Sequence, residues 1–399
     1  MRVLLVGSGA REHALAWSFS RSPSLTELHA APGNPGIASL GSCHPIRADD
    51  HEGLLDLART LAVDLVVVGP EAPLVAGLAD GLRRAGIAVF GPSEAAARIE
   101  GSKTFAKEVL SAAGVPAAAS LEGPRAPCVV KADGLAGGKG VFVCHTDEEA
   151  QAGVRAAEAL GGTVVIEELL EGPEVSVFAL CDGVRAVPLA AATDYKRAGD
   201  GDTGPNTGGM GAISPVELPG GLEALVEQIH QPVVDELARR GSRFIGCLFA
   251  GLMLTEAGPR VLEFNARVGD PETQVLLPRL EGDLLAALAD AAAGELGDVS
   301  LRERPDAGVT VVMAGPSYPE RSDYVGAAIT GVADAEAGGA LVFHGGTAIS
   351  GGQLVTNGGR ILSITALAPT RASARANVYE AAGKIAFEGS WYRTDIASG

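Results

Sequence analysis

From residue 1 to about residue 100, short apolar runs alternate with amphipathic stretches and glycine turns. Val3-Leu4-Leu5-Val6 predicts a buried strand, the turn behind it opens a helix over residues 12–21, and a second strand is predicted at 28–31. Leu65-Val66-Val67-Val68 is apolar at every position, the pattern of a parallel strand covered on both faces. A helix over 74–85 and a strand over 87–90 complete the segment. Such alternation with short connections predicts an open, mostly parallel sheet.

The pattern then changes. A helix over 102–113 stops at Gly114-Val115-Pro116. A compact module follows, with strands at 128–132, 141–144 and 164–167 and a helix over 147–160. Strands at 175–181 and 185–189 lead into a loop over 193–215, dense in Gly, Asp and Thr, and a loop that long inside a domain is usually functional or disordered. A helix over 222–240, strands at 247–254 and 260–265 and a helix over 283–292 come next. The remainder is strand-rich, with a helix over 371–386. There is no internal repeat. At roughly 100–200 residues per domain, these shifts predict three units over 1–101, 102–303 and 304–399, the second carrying a small lobe at 115–172.

Composition narrows the function classes. With 47% hydrophobic residues, 54 Gly and 23 Pro in 399, the chain stays below the roughly 25–30% Pro plus Gly of low-complexity disorder. A net charge of −18 with no basic stripe disfavours nucleic acid and anionic membranes as partners. The five cysteines (Cys43, Cys128, Cys144, Cys181, Cys247) contain no C-x-x-C, which fits buried thiols in a reducing compartment rather than disulfides or zinc. No apolar run approaches a membrane span, and the amino-terminal run is too short for a signal peptide. A cytoplasmic protein is predicted. Only six bases are Lys (Lys103, Lys107, Lys131, Lys139, Lys196, Lys384) among 31, so each Lys is a candidate for a site that wants a compact ammonium.

Several segments could carry chemistry. Gly7-Ser8-Gly9-Ala10-Arg11-Glu12 sits at a strand-to-helix turn, where backbone N–H groups can hold a phosphate. It lacks the third Gly of the dinucleotide fingerprint, and the second strand lacks the ribose-binding acid. Pro32-Gly33-Asn34-Pro35-Gly36 and Gly69-Pro70-Glu71 are two more loops at strand ends; each alone could be a plain turn. Lys131-Ala132-Asp133-Gly134-Leu135-Ala136-Gly137-Gly138-Lys139-Gly140 suits a polyphosphate, because its glycines let backbone amides approach an anion. A mobile hairpin loop is the bland alternative. Glu167-Glu168-Leu169-Leu170-Glu171-Gly172-Pro173-Glu174 could serve an adenine edge and a ribose, or be an acidic surface turn. Glu263 and Asn265 lie two apart on a predicted strand and face the same way. Two oxygen ligands there suit Mg²⁺, and Arg267 continues that face toward an anionic group. A solvent-facing polar stripe is the competing reading. The loop over 193–215 mixes both charges with glycines, as a substrate loop or a disordered surface does. The seven histidines form no metal spacing, and no Ser-His-Asp set is detectable.

Together these motifs resemble the glycinamide ribonucleotide synthetases of the ATP-grasp superfamily, with similarity along the whole chain. Arg267-Val268-Gly269-Asp270-Pro271-Glu272-Thr273-Gln274 with residues 204–211 is distinctive within the superfamily, and Val355-Thr356-Asn357-Gly358-Gly359-Arg360 is among the similar segments. Ala10, Gly137 and Tyr195 depart from the usual family residues. The resemblance implies an α/β protein: an amino-terminal open parallel-sheet domain like that of biotin carboxylase, an ATP-grasp domain of two α+β lobes, and a small β-rich carboxy-terminal domain. It implies ATP-dependent joining of glycine to 5-phosphoribosylamine in de novo purine synthesis. Glycyl phosphate would be the intermediate and glycinamide ribonucleotide, ADP and phosphate the products, with Mg²⁺ or Mn²⁺ required and no strong general base.

The resemblance also implies roles. Lys103, Lys131, Arg267 and Asp194 would be catalytic. ATP would lie on Lys103, Lys131, Gly134, Gly137, Gly138, Lys139 and Gly140, with Glu167, Glu168, Leu169 and Leu170 at the adenine and Glu174 at the ribose. Glu263 and Asn265 would bind the metal, without the carboxylate that many relatives carry on the preceding strand. The small substrates would meet Gly7, Ser8, Gly9, Arg11, Glu12, Pro32, Gly33, Asn34, Gly69, Pro70 and Glu71 from the first unit. From the second they would meet Lys196, Arg197, Asn206, Thr207, Gly208, Gly209, Met210, Arg267, Gly269 and Asp270. A monomer is expected, with a dimer as the alternative. The competing readings are another ATP-grasp carboxylate–amine ligase or carboxylase subunit, an NAD-dependent dehydrogenase, and a non-catalytic nucleotide sensor.

Overall fold

The computed structural model describes residues 1–135, 140–297 and 301–399. Five parallel strands form the first sheet: β1 (Arg2–Gly7), β2 (Glu27–Pro32), β3 (Ser42–Cys43), β4 (Leu65–Val68) and β5 (Ala88–Phe90), in the order β3-β2-β1-β4-β5. Its strands are almost wholly apolar because helices cover both faces. The strand order reverses direction between β1 and β4, so the loops after them flank the crevice where open α/β sheets bind ligands. The helix expected over 74–85 is two, Glu71–Val75 and Leu78–Arg84, divided where Gly77 turns left-handed at φ +82°.

The small lobe is a three-stranded antiparallel sheet, β6 (Cys128–Ala132), β7 (Val141–Cys144) and β8 (Val164–Glu168), in the order β7-β6-β8. The helix Asp147–Ala159 packs across it, its amino terminus closed by a Thr146–Glu149 capping box. Beside it runs an eight-stranded antiparallel sheet. Its first part is β9 (Glu174–Asp182), β10 (Ala186–Asp194), β13 (Gly211–Ser214), β14 (Ile245–Thr255) and β15 (Gly258–Asn265), ordered β15-β14-β9-β10-β13. It continues through Ala307–Ala314, Arg360–Ala368 and Leu341–His344. One sheet thus runs through both the second and the third predicted units, because β13 pairs with β10 on one side and with Ala307–Ala314 on the other.

The loop over 193–215 is largely structured. It contains the hairpin β11 (Arg197–Gly199) and β12 (Thr203–Asn206), then β13. The helix expected over 222–240 is interrupted by a π turn at Val226–His230. Pro232 lies two residues beyond it and has no N–H to donate to the preceding turn, which widens the ladder there. Among the described residues no helix is long and apolar enough to cross a membrane.

Histidines join the first sheet to the third unit. The backbone N–H of His344 donates to His13 Nδ1 at 2.8 Å, and Asn34 Nδ2 donates to the His344 carbonyl at 2.7 Å. Burial, then His344, lowers the His13 pKa to about 3, and burial lowers that of His344 to about 4. Both fold as neutral rings, so the unfolded chain binds more protons below its ordinary histidine pKa of 6.5. Stability is therefore complete above pH 6.5 and lost as pH falls toward the folded values, by up to about 1.4 kcal/mol per histidine per pH unit. The melting temperature is expected to drop steadily from pH 6.5 to 5; a flat profile would remove this join from the account.

Candidate active site

The sheets meet at a cavity of about 400 Å³. The floor is β15, whose two-residue period turns Glu263 and Asn265 into it. Opposite them on β14 stand Gly251 and Phe249, so the neighbouring strand offers no carboxylate. Among the described residues no group of three His, Cys, Asp or Glu side chains is placed to hold a metal. The pair still fits Mg²⁺, which takes one or two protein oxygens and completes its shell with water and phosphate.

Lysines form one wall. Lys131 ends β6; its Nζ meets Glu167 Oε2 at 2.7 Å and donates to the Leu262 carbonyl at 2.9 Å, linking the small lobe to β15. Lys107 Nζ holds the other Glu167 oxygen at 2.7 Å. Lys103 Nζ donates to the Gly134 carbonyl at 3.0 Å. Its pKa is lowered by burial, with Glu263 opposing and Lys131 assisting. Asp133 receives the Lys103 backbone N–H at 2.5 Å and the Thr104 hydroxyl at 2.8 Å. Asp133 and Gly134 are thereby anchored to the start of the helix Lys103–Ala113.

The opposite wall is anionic and cationic in alternation. Arg267 Nε donates to Glu71 at 3.2 Å, and its Nη2 lies 3.3 Å from Glu100. Burial pushes the Glu71 carboxyl up, but Arg267 and then Arg11 outweigh it and hold the pKa at about 2. Lys196 pairs with Glu174 and, at 3.1 Å, with Asp194. Arg360 Nη2 meets Asp270 Oδ2 at 2.7 Å, and its Nη1 donates to the Gly208 carbonyl at 2.5 Å. Beyond this clamp lies a second cavity of about 320 Å³, lined by Gly9, Asn206, Tyr318, Ser322, Gly345 and Gly346 and sharing Thr207, Gly208, Asp270 and Arg360 with the first.

The structure therefore brings together Arg11, Pro70, Glu71, Lys103, Lys131, Gly134, Gly140, Glu167, Asp194, Lys196, Thr207, Gly208, Glu263, Asn265, Arg267 and Asp270 in one cavity. Gly9 and Asn206 reach the second. Gly137, Gly138 and Lys139 lie outside the described residues.

Other predicted site residues line neither cavity, and several have visible structural duties. The Glu12 carboxylate occupies the crevice between the Gly7–Gly9 turn and the Gly69-Pro70 turn, accepting from Gly9 N at 2.6 Å and Arg11 Nε at 2.7 Å. Gly7 and Gly69 make room for it, since a Cβ on Gly69 would lie 2.1 Å from Glu12 Oε1. A dinucleotide pyrophosphate would need that same space. Asn34 caps the helix Pro35–Ala38 and donates to the Ser8 carbonyl at 2.9 Å. Gly33 N donates to the Gly7 carbonyl at 3.0 Å, beside Pro32 in β2. Glu168 accepts from Ala119 N at 2.8 Å, and Leu169 and Leu170 follow it half-buried. Arg197 closes its own hairpin on the Gly204 carbonyl at 2.8 Å. Met210 is buried, Gly209 packs against Pro271, and Gly269 packs against the Glu272 carboxylate.

Four further residues line the cavity without a role assigned from the sequence: Lys107, Glu100, Arg360 and Glu272. Lys107 was visible as one of six lysines four residues beyond Lys103, on the same helix face. Arg360 was visible in its Gly-Gly-Arg motif. Glu100 carried no signal.

The chain matches family models along nearly its whole length. Models described as phosphoribosylglycinamide synthetase N domain, ATP-grasp (A) domain and C domain match residues 1–100, 101–273 and 308–399. A phosphoribosylamine–glycine ligase from Streptomyces coelicolor is 50% identical over 416 residues, covering 100% of this chain and 99% of the relative. The crystal structure of phosphoribosylamine–glycine ligase from Thermotoga maritima superposes with a TM-score of 0.85 at 34% identity, covering 99% of this chain and 100% of that one. The biotin carboxylase domain of Hydrogenobacter thermophilus 2-oxoglutarate carboxylase, in complex with MgADP, ADP and bicarbonate, shares the fold at a TM-score of 0.70 and 18% identity, covering 98% and 91%.

Proposed function

The chain belongs to the phosphoribosylglycinamide synthetase family, and from that membership we propose that its cavity joins glycine to 5-phosphoribosylamine at the expense of ATP. It is an ATP-dependent carbon–nitrogen ligase of de novo purine synthesis. The observation that carries the reading is the meeting of Lys103 and Lys131 with Glu263 and Asn265 in one cavity that also holds Asp194, Lys196 and Arg267. Cations and oxygen ligands suited to a polyphosphate thus face groups suited to a small zwitterion.

The chemistry follows from leaving groups. A carboxylate is a poor electrophile because oxide would have to depart. Transfer of the γ-phosphoryl group to the glycine carboxylate gives glycyl phosphate, from which phosphate departs instead. The phosphoribosylamine nitrogen then attacks the carbonyl, releasing phosphate and leaving the amide. Lys131, already committed to Glu167 and Leu262 through two of its three N–H groups, turns the third to the phosphates. Lys103 supports them from the helix start. Each Glu167 oxygen retains a second lone pair, enough to accept the adenine amino group. Asp194 and Lys196 receive the glycine, and Arg267 offers a guanidinium at that end of the cavity. Glu263 and Asn265 would hold Mg²⁺ or Mn²⁺, which would offset charge on the phosphates. Water must be kept from the acyl phosphate, which it would otherwise hydrolyse. We further propose a cytoplasmic monomer.

The test is a coupled ADP-release assay with glycine and phosphoribosylamine, each omitted in turn. Full ADP release is expected only with both present. Release that ignores one of them would overturn the substrate assignment.

A further inference from the structure

Glu272 has no part in the roles above. It is 3% exposed, begins the short helix Glu272–Leu276 and lines the same cavity as Asp194 and Lys196. Ser176, on β9 beneath it, donates its hydroxyl to Glu272 Oε1 at 3.0 Å. Gly269 leaves the carboxylate its place, since a Cβ there would lie 2.4 Å from Glu272 Oε2. The side chain is thus pinned from below and confined at its edge, with the reaction chamber beside it. The charged groups facing it are Asp194 and Lys196 from the end of β10, Arg267 from the segment after β15, and Arg360 from the carboxy-terminal strand.

Amide formation releases a proton from the attacking nitrogen, and the residues assigned so far give it no acceptor. Lys103, Lys131, Lys196 and Arg267 are cations, and Glu167 is held by two ammonium groups. Asp194 is tied to Lys196, Glu71 to Arg267 and Asp270 to Arg360, and Glu263 faces the metal position. We infer that Glu272 is the proton acceptor of the amide-forming step, an inference that rests on the ligase reading above. The nitrogen lone pair forms the C–N bond and the C–O bond to phosphate breaks, its electron pair leaving on phosphate. The proton passes from the nitrogen to the Glu272 carboxylate, which returns it to solvent before the next turnover. The acceptor acts after attack has made the nitrogen acidic, so a weak base suffices. Burial and then Asp194 push the Glu272 carboxyl up to about 7, which suits a group that must take and release a proton near neutrality. Because the carboxylate form is the working one, kcat rises as pH rises through that value.

Glu272→Gln keeps the volume and can still accept from Ser176, but cannot take the proton. With all three substrates present, two rates are measured on this variant: glycinamide ribonucleotide formation, and movement of ¹⁸O from the β–γ bridge of ATP to a non-bridging β position, which reports reversible glycyl phosphate formation. Product formation is expected to fall about 10²–10⁴-fold while oxygen exchange persists, and the acid limb of kcat disappears. Loss of exchange together with product, or unchanged product formation, overturns the inference. Ser176→Ala, a second variant that withdraws one donor from the carboxylate, is expected to move the acid limb of kcat to higher pH; an unmoved limb overturns it. If the unsubstituted enzyme consumes no ATP with both substrates supplied, the ligase reading itself fails, which is a separate outcome.

Discussion

Lys131→Met is expected to lower kcat by more than about 10²-fold, roughly 3 kcal/mol of transition-state stabilisation. Charge shifts between oxygens as the γ-phosphoryl group moves, and a fixed ammonium in a water-poor cavity offsets it without reorganising. The geometry holds Lys131 for that task. It sits 6% exposed at the end of β6, with Glu167 and the Leu262 carbonyl orienting the ammonium across the gap between lobes. Met preserves most of the apolar stem. Glu167 keeps Lys107 at 2.7 Å, so the buried carboxylate is not left unpaired and the variant should fold. Lys131→Arg should not restore the rate, since a planar fork does not reproduce a point charge in this position. ADP release and a thermal melt on the same preparations decide the matter. A folded Lys131→Met enzyme with near-normal turnover removes Lys131 from the phosphates.

The second large effect is expected from Glu263→Gln. The substitution preserves shape but replaces an ionised oxygen by a neutral amide, and Mg²⁺ favours hard anionic oxygen. Asn265 is already neutral, and Phe249 and Gly251 on the adjoining strand contribute no carboxylate, so little compensates. We expect the Mg²⁺ concentration for half-maximal rate to rise at least about tenfold and kcat to fall about 10²-fold. Titration with Mn²⁺, followed by its electron paramagnetic resonance signal in the presence of ATP, reads the same loss without turnover. An unchanged metal dependence would move the cation elsewhere.

Much of the site was legible because it depends on local periodicity. The two-residue period of a strand puts Glu263 and Asn265 on one face whatever packs around them, and Lys131 closes an apolar run at the carboxyl end of its strand. The parallel order of the first sheet was equally readable from its apolar runs. Other parts depend on partners far along the chain. Residues 211–214 pair with Ala307–Ala314, nearly one hundred positions away, and nothing local in Gly-Ala-Ile-Ser announces it. The hairpin Arg197–Asn206 was hidden by a Gly-, Asp- and Thr-rich segment with no alternation. Glu12 gives a different lesson. Its mismatch to the dinucleotide fingerprint was visible, but only the packing shows the carboxylate filling the crevice that the fingerprint would reserve for phosphate. Asn34 likewise reads as a ligand-loop residue in sequence, whereas its amide is spent on the Ile37 N–H and the Ser8 and His344 carbonyls.

Activation of the glycine carboxylate by phosphoryl transfer is the central step of the proposed reaction. Supplying glycine labelled with ¹⁸O in both carboxylate oxygens, together with ATP and phosphoribosylamine, tests this directly. One labelled oxygen per turnover is expected in the inorganic phosphate and the other in the amide carbonyl. Unlabelled phosphate formed alongside the amide would contradict it.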